Sequence, residues 1–314
     1  MHAALFSRRF RGFYCTALLL VSLSLRLWCF PVGVSATETV ETQEPEAEVA
    51  AIPVMAPTAP PETEEAFTIA PFTAEEADAV ALGGNCSYAA DKQALLVSPL
   101  PFSVTGSPQV LIVHTHSSEA YTPTEDCSYE PSASYRTLDP ARSVIAVGDA
   151  LEQELTSRGI GVLHDRSCHD YPDYNGSYAD AKRSIEAILA QNPSIVLVLD
   201  LHRDALEEPV REAVTVGGAD CAKLMLVVGT DEGGLYHPFW QDNLSVALKL
   251  QVLLERQSPG LCRTMQLRRE RFNGQTSPGA FIVEVGSTGN TLEEAVNSMP
   301  YLAEAIAELL GFTS

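Results

Sequence analysis

The chain has 314 residues, enough for one large domain with extensions or for two small ones. Hydrophobic residues make up 46%, which supports a sizeable core, while acids outnumber bases 41 to 20 and the formal charge is -21. That balance excludes a general nucleic-acid binder, because neutralising phosphates takes an excess of Lys and Arg.

At the N-terminus, Arg8, Arg9 and Arg11 precede an apolar run from Gly12 to Leu25, which continues beyond Arg26 through Trp28 and Phe30. A basic flank before an apolar stretch keeps the chain start in the cytoplasm and predicts export of the rest. Val34-Ser35-Ala36 resembles the small-residue cleavage site of a signal peptide. Uncleaved, residues 12–34 are long enough to span a bilayer, at roughly 20 residues per span. Two outcomes stay open: a single-pass membrane protein with its C-terminal domain outside the cytoplasm, or a secreted one. Residues 37 to 80 hold eleven acids, six prolines and no Lys or Arg. Such a stretch buries too little apolar surface to offset its ordering entropy and reads as a disordered tether. The predicted division is therefore an anchor or signal segment at 1–36, a linker at 37–95 and one catalytic domain at 96–314.

Val110–Val113 is a short β-branched run that predicts a strand. Val144, Val147, Leu151 and Leu155 recur at helical spacing, and Gly159 follows as a stop. A short strand near Val162 precedes a helix from about Tyr178 to Ala190, ended by Asn192-Pro193. Ile195–Leu201 is apolar apart from Asp200, as in a strand buried on both faces, and Leu224–Val228 is similar. Leu244, Leu248 and Leu254 mark a helix. Ala280–Val285 predicts a further strand. Thr291 with Glu294 three residues on forms a capping box for a last helix, kinked at Pro300. This alternation predicts an α/β fold: a single three-layer domain with a mainly parallel, twisted sheet flanked by helices.

Three polar clusters follow or close predicted strands, where open α/β sheets place their sites. They are His114-Thr115-His116-Ser117-Ser118-Glu119, Asp200-Leu201-His202-Arg203-Asp204, and Glu284. Two imidazoles and a carboxylate form a familiar ligand set for catalytic zinc, with one position left to water. His116, Glu119 and His202 are the candidate ligands, with His114 the alternative histidine or a supporting one. Glu284, closing an apolar strand, is the candidate general base. Arg271 is a candidate for stabilising a developing oxyanion. Asp200, Arg203 and Asp204 read as groups that orient the histidines, or as a simple ion pair. No Gly-x-Ser-x-Gly elbow, Walker motif or G-x-G-x-x-G is present, which argues against serine-hydrolase and nucleotide chemistry. Cys168 adjoins His169, but adjacent residues seldom face each other. The seven cysteines include no C-x-x-C pair, so their spacing suggests neither a zinc ribbon nor a redox motif.

The segments Leu111-Ile112-Val113-His114-Thr115-His116-Ser117-Ser118-Glu119-Ala120-Tyr121, Asp200-Leu201-His202-Arg203-Asp204-Ala205 and Ser277-Pro278-Gly279-Ala280, with Glu284-Val285-Gly286 and Gly289-Asn290-Thr291-Leu292-Glu293-Glu294-Ala295, resemble the stage II sporulation protein P family. His169-Asp170-Tyr171-Pro172, Tyr174-Asn175-Gly176-Ser177-Tyr178, His237-Pro238 with Trp240, and Arg271-Phe272-Asn273 extend the resemblance over roughly residues 108–311. Ser287 stands where that family usually has glycine. The resemblance implies a zinc-dependent N-acetylmuramoyl-L-alanine amidase that cuts peptidoglycan during engulfment, with an additional endopeptidase activity attributed to the family. It implies Zn2+ on His116, Glu119 and His202, with Glu284 as base. It also implies two partners, the glycan-cutting stage II sporulation protein D and the membrane protein stage II sporulation protein M. The competing expectations are a noncatalytic wall-binding scaffold and an exported zinc peptidase.

Overall fold

The computed structural model describes residues 69–206 and 209–312. The anchor or signal segment at 1–36 and the linker up to residue 68 lie outside the described residues. No helix among the described residues is long and apolar enough to cross a membrane.

The ordered chain starts earlier than residue 96. Helix α1 (Ala74–Ala79) begins with a capping box in which the Thr73 hydroxyl accepts from the Glu76 N–H and the Glu76 carboxylate accepts from the Thr73 N–H. Strand β1 (Leu82–Gly84) and helix α2 (Lys92–Val97) follow. The expected linker boundary at 95 is thus corrected. Residues 69–95 carry few large apolar groups, but Ala77 and Val80 join the main core, with Leu95 packed against it. Arg256 also grips this segment by pairing with Glu76 at 2.6 Å and donating to the Ala70 and Pro71 carbonyls.

Strand β2 (Val110–Val113), helix α3 (Val144–Ser157) and strand β3 (Val162–His164) come next. Helix α4 (Ser177–Gln191), strand β4 (Leu197–Asp204) and the hairpin β5 (Ala213–Val216) and β6 (Ala219–Ala222) follow them. The chain continues through β7 (Leu224–Gly229), α5 (Trp240–Gln257), β8 (Met265–Arg268) and β9 (Ala280–Ser287). The last predicted helix is two, α6 (Leu292–Asn297) and α7 (Met299–Leu310). The break falls at Ser298 rather than at Pro300. The Ser298 hydroxyl donates to the Ala222 and Glu294 carbonyls, and Pro300 sits in the first turn of α7, where its missing N–H costs no helical bond.

Seven strands form one sheet in the order β1-β8-β7-β9-β4-β2-β3. Every neighbouring pair is parallel except β7 and β9. The sheet therefore consists of two parallel blocks joined by one antiparallel seam. Helices α3, α5, α6 and α7 contribute to the large core on one face. Helix α4 covers part of the other, where Ile185 and Leu189 pack with Leu111, Val113 and Val198. Beyond α4, no α-helix among the described residues covers that second face, where Met225, Val227 and Ile282 form a small cluster with Phe272 packed against it.

Candidate active site

Strand alternation decides which side chains meet. Leu199 and Leu201 of β4 enter the large core, so Asp200 and His202 face the other side. In β9, Val283 and Val285 enter the same core, so Ile282 and Glu284 face away from it. His202 is in register with Glu284, and Glu284 with Met225 of β7. Neighbouring strands lie about 4.8 Å apart, so the imidazole and the carboxyl stand side by side on one sheet face. Glu284 is therefore within β9, which runs on to Ser287, and does not close the strand.

The loop after β2 swings His116 and Glu119 over this face. Asp200 fastens it, accepting from the Thr115 N–H at 2.8 Å and from the Thr115 hydroxyl at 2.6 Å. Asp170 fastens it further along, accepting from the Ser117 and Ser118 hydroxyls at 2.9 and 2.6 Å. Arg136 bridges Asp170 at 2.8 Å and Glu119 at 3.5 Å. The result is a cavity of about 560 Å³ whose walls include His116, Glu119, His202, Glu284, Tyr174 and Tyr178. The His116 ring stacks on Tyr174 with centroids 4.5 Å apart and meets the His202 ring edge-on at 5.3 Å. Tyr174 in turn carries the Arg136 guanidinium over its ring at 4.6 Å.

His114 is not in this cavity. It is fully buried on the opposite side of its strand, with Nδ1 3.0 Å from the Leu201 carbonyl and Nε2 2.8 Å from His164 Nε2. Arg271 is also elsewhere, donating to the Tyr236 carbonyl at 3.0 Å. Phe272 and Asn273 have φ of 47° and 59°. That left-handed turn sends Phe272 rather than Arg271 into the cavity wall, whose arginines are Arg203, Arg263 and Arg268. Arg263 is held by Asp204 at 2.9 Å and Arg268 by Glu270 at 3.3 Å. The five cysteines among the described residues form no disulfide, and exposed Cys168 does not line the cavity.

Electrostatics separate the two glutamates. Burial acts to raise both. At Glu119 it is overcome by the His202 hydrogen bond and by the positive charges of His202 and Arg203, and the carboxyl lies well below its usual range. The Arg203 N–H also donates to Glu119 at 3.2 Å. Glu284 has no such hydrogen bond: burial outweighs the attraction of His202 and Arg203 and pushes it up to about 8, and its Oε2 is unbonded. Burial pushes His116 down to about 4. Burial would lower His202 too, but the carboxylates of Asp200 and Glu119 raise it well above the imidazole range.

Two imidazoles and a carboxylate on one cavity wall suit zinc in kind. His116 Nδ1 is buried without a hydrogen-bond partner. His202 Nε2 lies 2.9 Å from Asp200 Oδ1, an ion contact not aligned as a hydrogen bond. Glu119 Oε2 lies 3.3 Å from His202 Nδ1 while its Oε1 faces Arg136 and Arg203, so two of the three donors meet and His116 stands apart from them. Among the described residues, the group whose donor atoms all lie within 4.8 Å of one another is instead Asp149, Glu152 and His164. Arg136, Asp170, Tyr174 and Tyr178 were given no role by sequence reasoning. Arg136, Asp170 and Tyr174 lie in loops without periodicity, Tyr178 lies in the first turn of α4, and only the resemblance drew attention to three of the four.

Among solved structures, the chain is 13% identical to the CwlD amidase of Clostridioides difficile, solved in complex with the GerS lipoprotein. The match covers 64% of this chain and 94% of that one, with a TM-score of 0.38. It is also 13% identical to the N-acetylmuramyl-L-alanine amidase Ami1 of Mycobacterium abscessus, over 64% and 96% of the two chains, with a TM-score of 0.39. Likeness this distant has no bearing on the chemistry. In sequence, the chain is 25% identical over 221 residues to the stage II sporulation protein P of Bacillus subtilis (strain 168), matching 67% of this chain. It spans about half of that relative's length, 53%. The family profile described as Stage II sporulation protein P (SpoIIP) matches residues 41–307. That match takes in every strand and helix that builds the cavity, and on it the chain belongs to the stage II sporulation protein P family.

Proposed function

We propose that this protein is a peptidoglycan hydrolase of sporulation: a zinc-dependent amidase that cleaves the amide between N-acetylmuramic acid and the L-alanine of the stem peptide. The observation that carries this reading is the register of His202 with Glu284 on the sheet face that α4 covers only in part, with His116 and Glu119 on the same cavity wall. In this reading His116, Glu119 and His202 hold Zn2+, which supplies a Lewis acid and a water whose pKa falls to ~7. Glu284 accepts the proton of the attacking water and delivers it to the leaving L-alanine nitrogen. A carboxyl poised near neutrality by burial suits a group that must both take and give a proton at one pH. Asp200 orients His202, and Arg203 holds Glu119 in place through its backbone N–H and its guanidinium. Tyr174 gives His116 a flat support and borders the opening. The arginines of the wall offer positive charge to carboxylates of the stem peptide within a chain of net negative charge.

Export through the N-terminal segment, retention at the membrane, an added endopeptidase activity and assembly with stage II sporulation proteins D and M belong to the same proposal. The test is to incubate the full chain with purified peptidoglycan, with and without a zinc chelator, and to read released fragments by mass spectrometry. Free stem peptides with new L-alanine amino groups, lost on chelation, support the amidase. Other new peptide termini favour an exported zinc peptidase. Intact wall with protein bound to it favours a scaffold.

A further inference from the structure

A second cluster of ligand-type side chains lies on the far side of β2 from the cavity. Asp149 and Glu152 are three residues apart on α3 and so share one face of that helix. They point at His164, the last residue of β3. His164 Nδ1 is 3.3 Å from Asp149 Oδ1 and 3.6 Å from Glu152 Oε2. The His164 side chain is 0% exposed, and its Nδ1 has no hydrogen-bond partner.

The proton inventory explains why that nitrogen is unmatched. The Leu201 carbonyl can only accept, so His114 Nδ1 must donate to it. With the ring neutral, as burial favours, His114 Nε2 is then an acceptor. It lies 2.8 Å from His164 Nε2, which must be the donor in that contact. A neutral His164 thus carries its one hydrogen on Nε2. Its Nδ1 presents a lone pair to two carboxylates. Three electron-rich atoms facing one another call for a cation.

The distances also suit one. Tetrahedral zinc with arms of about 2.1 Å sets its ligand atoms about 3.4 Å apart. The two measured separations bracket that value. Backbone space is reserved for the cluster as well. A Cβ on Gly148 of α3 would lie 2.6 Å from the His164 ring and 2.7 Å from His114 Nε2, so the helix approaches this closely only with glycine there.

The geometry points to a second divalent-cation site, of zinc type, held by Asp149, Glu152 and His164 and distinct from the proposed catalytic site. Arg166 is its built-in competitor. The guanidinium takes the same carboxylate oxygens, with Nε donating to Asp149 Oδ1 at 2.8 Å and Nη2 pairing with Glu152 Oε2. It leaves His164 Nδ1 unbonded, and its side chain is 47% exposed, free to swing out. Asp149 is 49% exposed, which leaves a path for entry. An ion here ties α3 to β3 and, through His114, to the β4 backbone one residue before His202.

The test is zinc binding by the full chain in detergent, stripped with chelator and then titrated with Zn2+ alone. Bound metal is counted by mass spectrometry and affinity is taken from calorimetry. Glu152→Gln and Asp149→Asn are expected to bind one equivalent fewer than the parent chain. Arg166→Ala is expected to bind Zn2+ at this site at least about 10-fold more tightly, because it removes the competing cation. Equal metal content in Glu152→Gln and parent would overturn the proposal. So would an Arg166→Ala affinity that is unchanged or weaker. The parent's total separates this site from the proposed amidase site: a drop from two equivalents to one leaves both standing. A drop from one to none keeps this site and removes the catalytic zinc.

Discussion

Replacing Glu284 with Gln should make the metal-free protein more stable while removing its proposed chemistry. Burial holds this carboxyl at about 8 against an ordinary 4.5. The ionised form is the one that folding penalises. Stability is therefore whole below pH 4.5 and declines as the pH rises to about 8. At pH 7, keeping the group protonated costs about 3 kcal/mol, at roughly 1.4 kcal/mol per pH unit. Water in the open cavity screens part of this, leaving about 1–2 kcal/mol for the neutral amide of Glu284→Gln to recover. For a domain of this size that corresponds to a rise in Tm of roughly 2–8 °C. The assay is thermal unfolding of chelator-treated parent and variant at pH 4, 7 and 8, beside wall digestion with zinc restored. The two Tm values should coincide at pH 4 and separate at pH 7, with digestion lost in the variant. A variant less stable at pH 7 would mean that Glu284 is ionised and partnered, and a gap that does not change with pH would mean that folding does not shift its carboxyl. Digestion at the parent rate would remove it as the base.

Gly148→Ala should destabilise by about 1–3 kcal/mol in urea unfolding, although alanine is the better helix former, because the new methyl overlaps two imidazoles. Arg136→Ala should cost about 3–5 kcal/mol by the same measurement, since it leaves the buried carboxylate of Asp170 without its cation. Arg136→Lys should recover part of that, because a charge without the forked geometry still neutralises it. Glu76 is held down at about 2, chiefly by its hydrogen bond to Arg256. Its contribution is therefore present above pH 4.5 and lost as the pH falls towards 2. Amide hydrogen exchange of residues 69–80 in Glu76→Gln should resemble that of the parent at low pH, with the rest of the domain unchanged.

The long elements were legible because their periods were clean. The predicted start and end of α4 fall within a residue of the observed helix, and the capping box at Thr291 and Glu294 is present. β2 and β7 stood out as unbroken apolar runs, and β4 and β9 as apolar runs broken by Asp200 and Glu284, because these strands are buried on both faces. β8 did not, since Met265-Gln266-Leu267-Arg268 alternates over only four residues at the cavity rim. The β5–β6 hairpin had a signal that was not read: Gly217-Gly218, with φ of 60° and 89°, joins two short strands. α1 carried one too, in its Thr73 and Glu76 cap, but the surrounding acids and prolines outweighed it. The antiparallel entry of β7 was not legible, because strand direction depends on long-range pairing. The cavity was half readable: polar clusters at predicted strand ends put His116, Glu119, His202 and Glu284 in play, strand register joins His202 to Glu284, and the loop after β2 adds the other two. Arg271 failed as a wall residue because two left-handed residues after it turn the chain.

The order in which the sheet is strung bears on how the molecule comes into being. Leu82 pairs with Met265, and Val198 with Ala280, so early-made strands wait for late-made ones. Contacts between such distant segments close slowly, because the loop entropy is lost before the pairing repays it. β9 enters between β7 and β4 and is the last strand to emerge during synthesis. It brings Glu284 with it. Completion of the sheet and completion of the cavity are then the same event, and a chain cut short before residue 280 is left with neither. Until β9 is in place, the chain holds no complete cavity for its proposed chemistry to use.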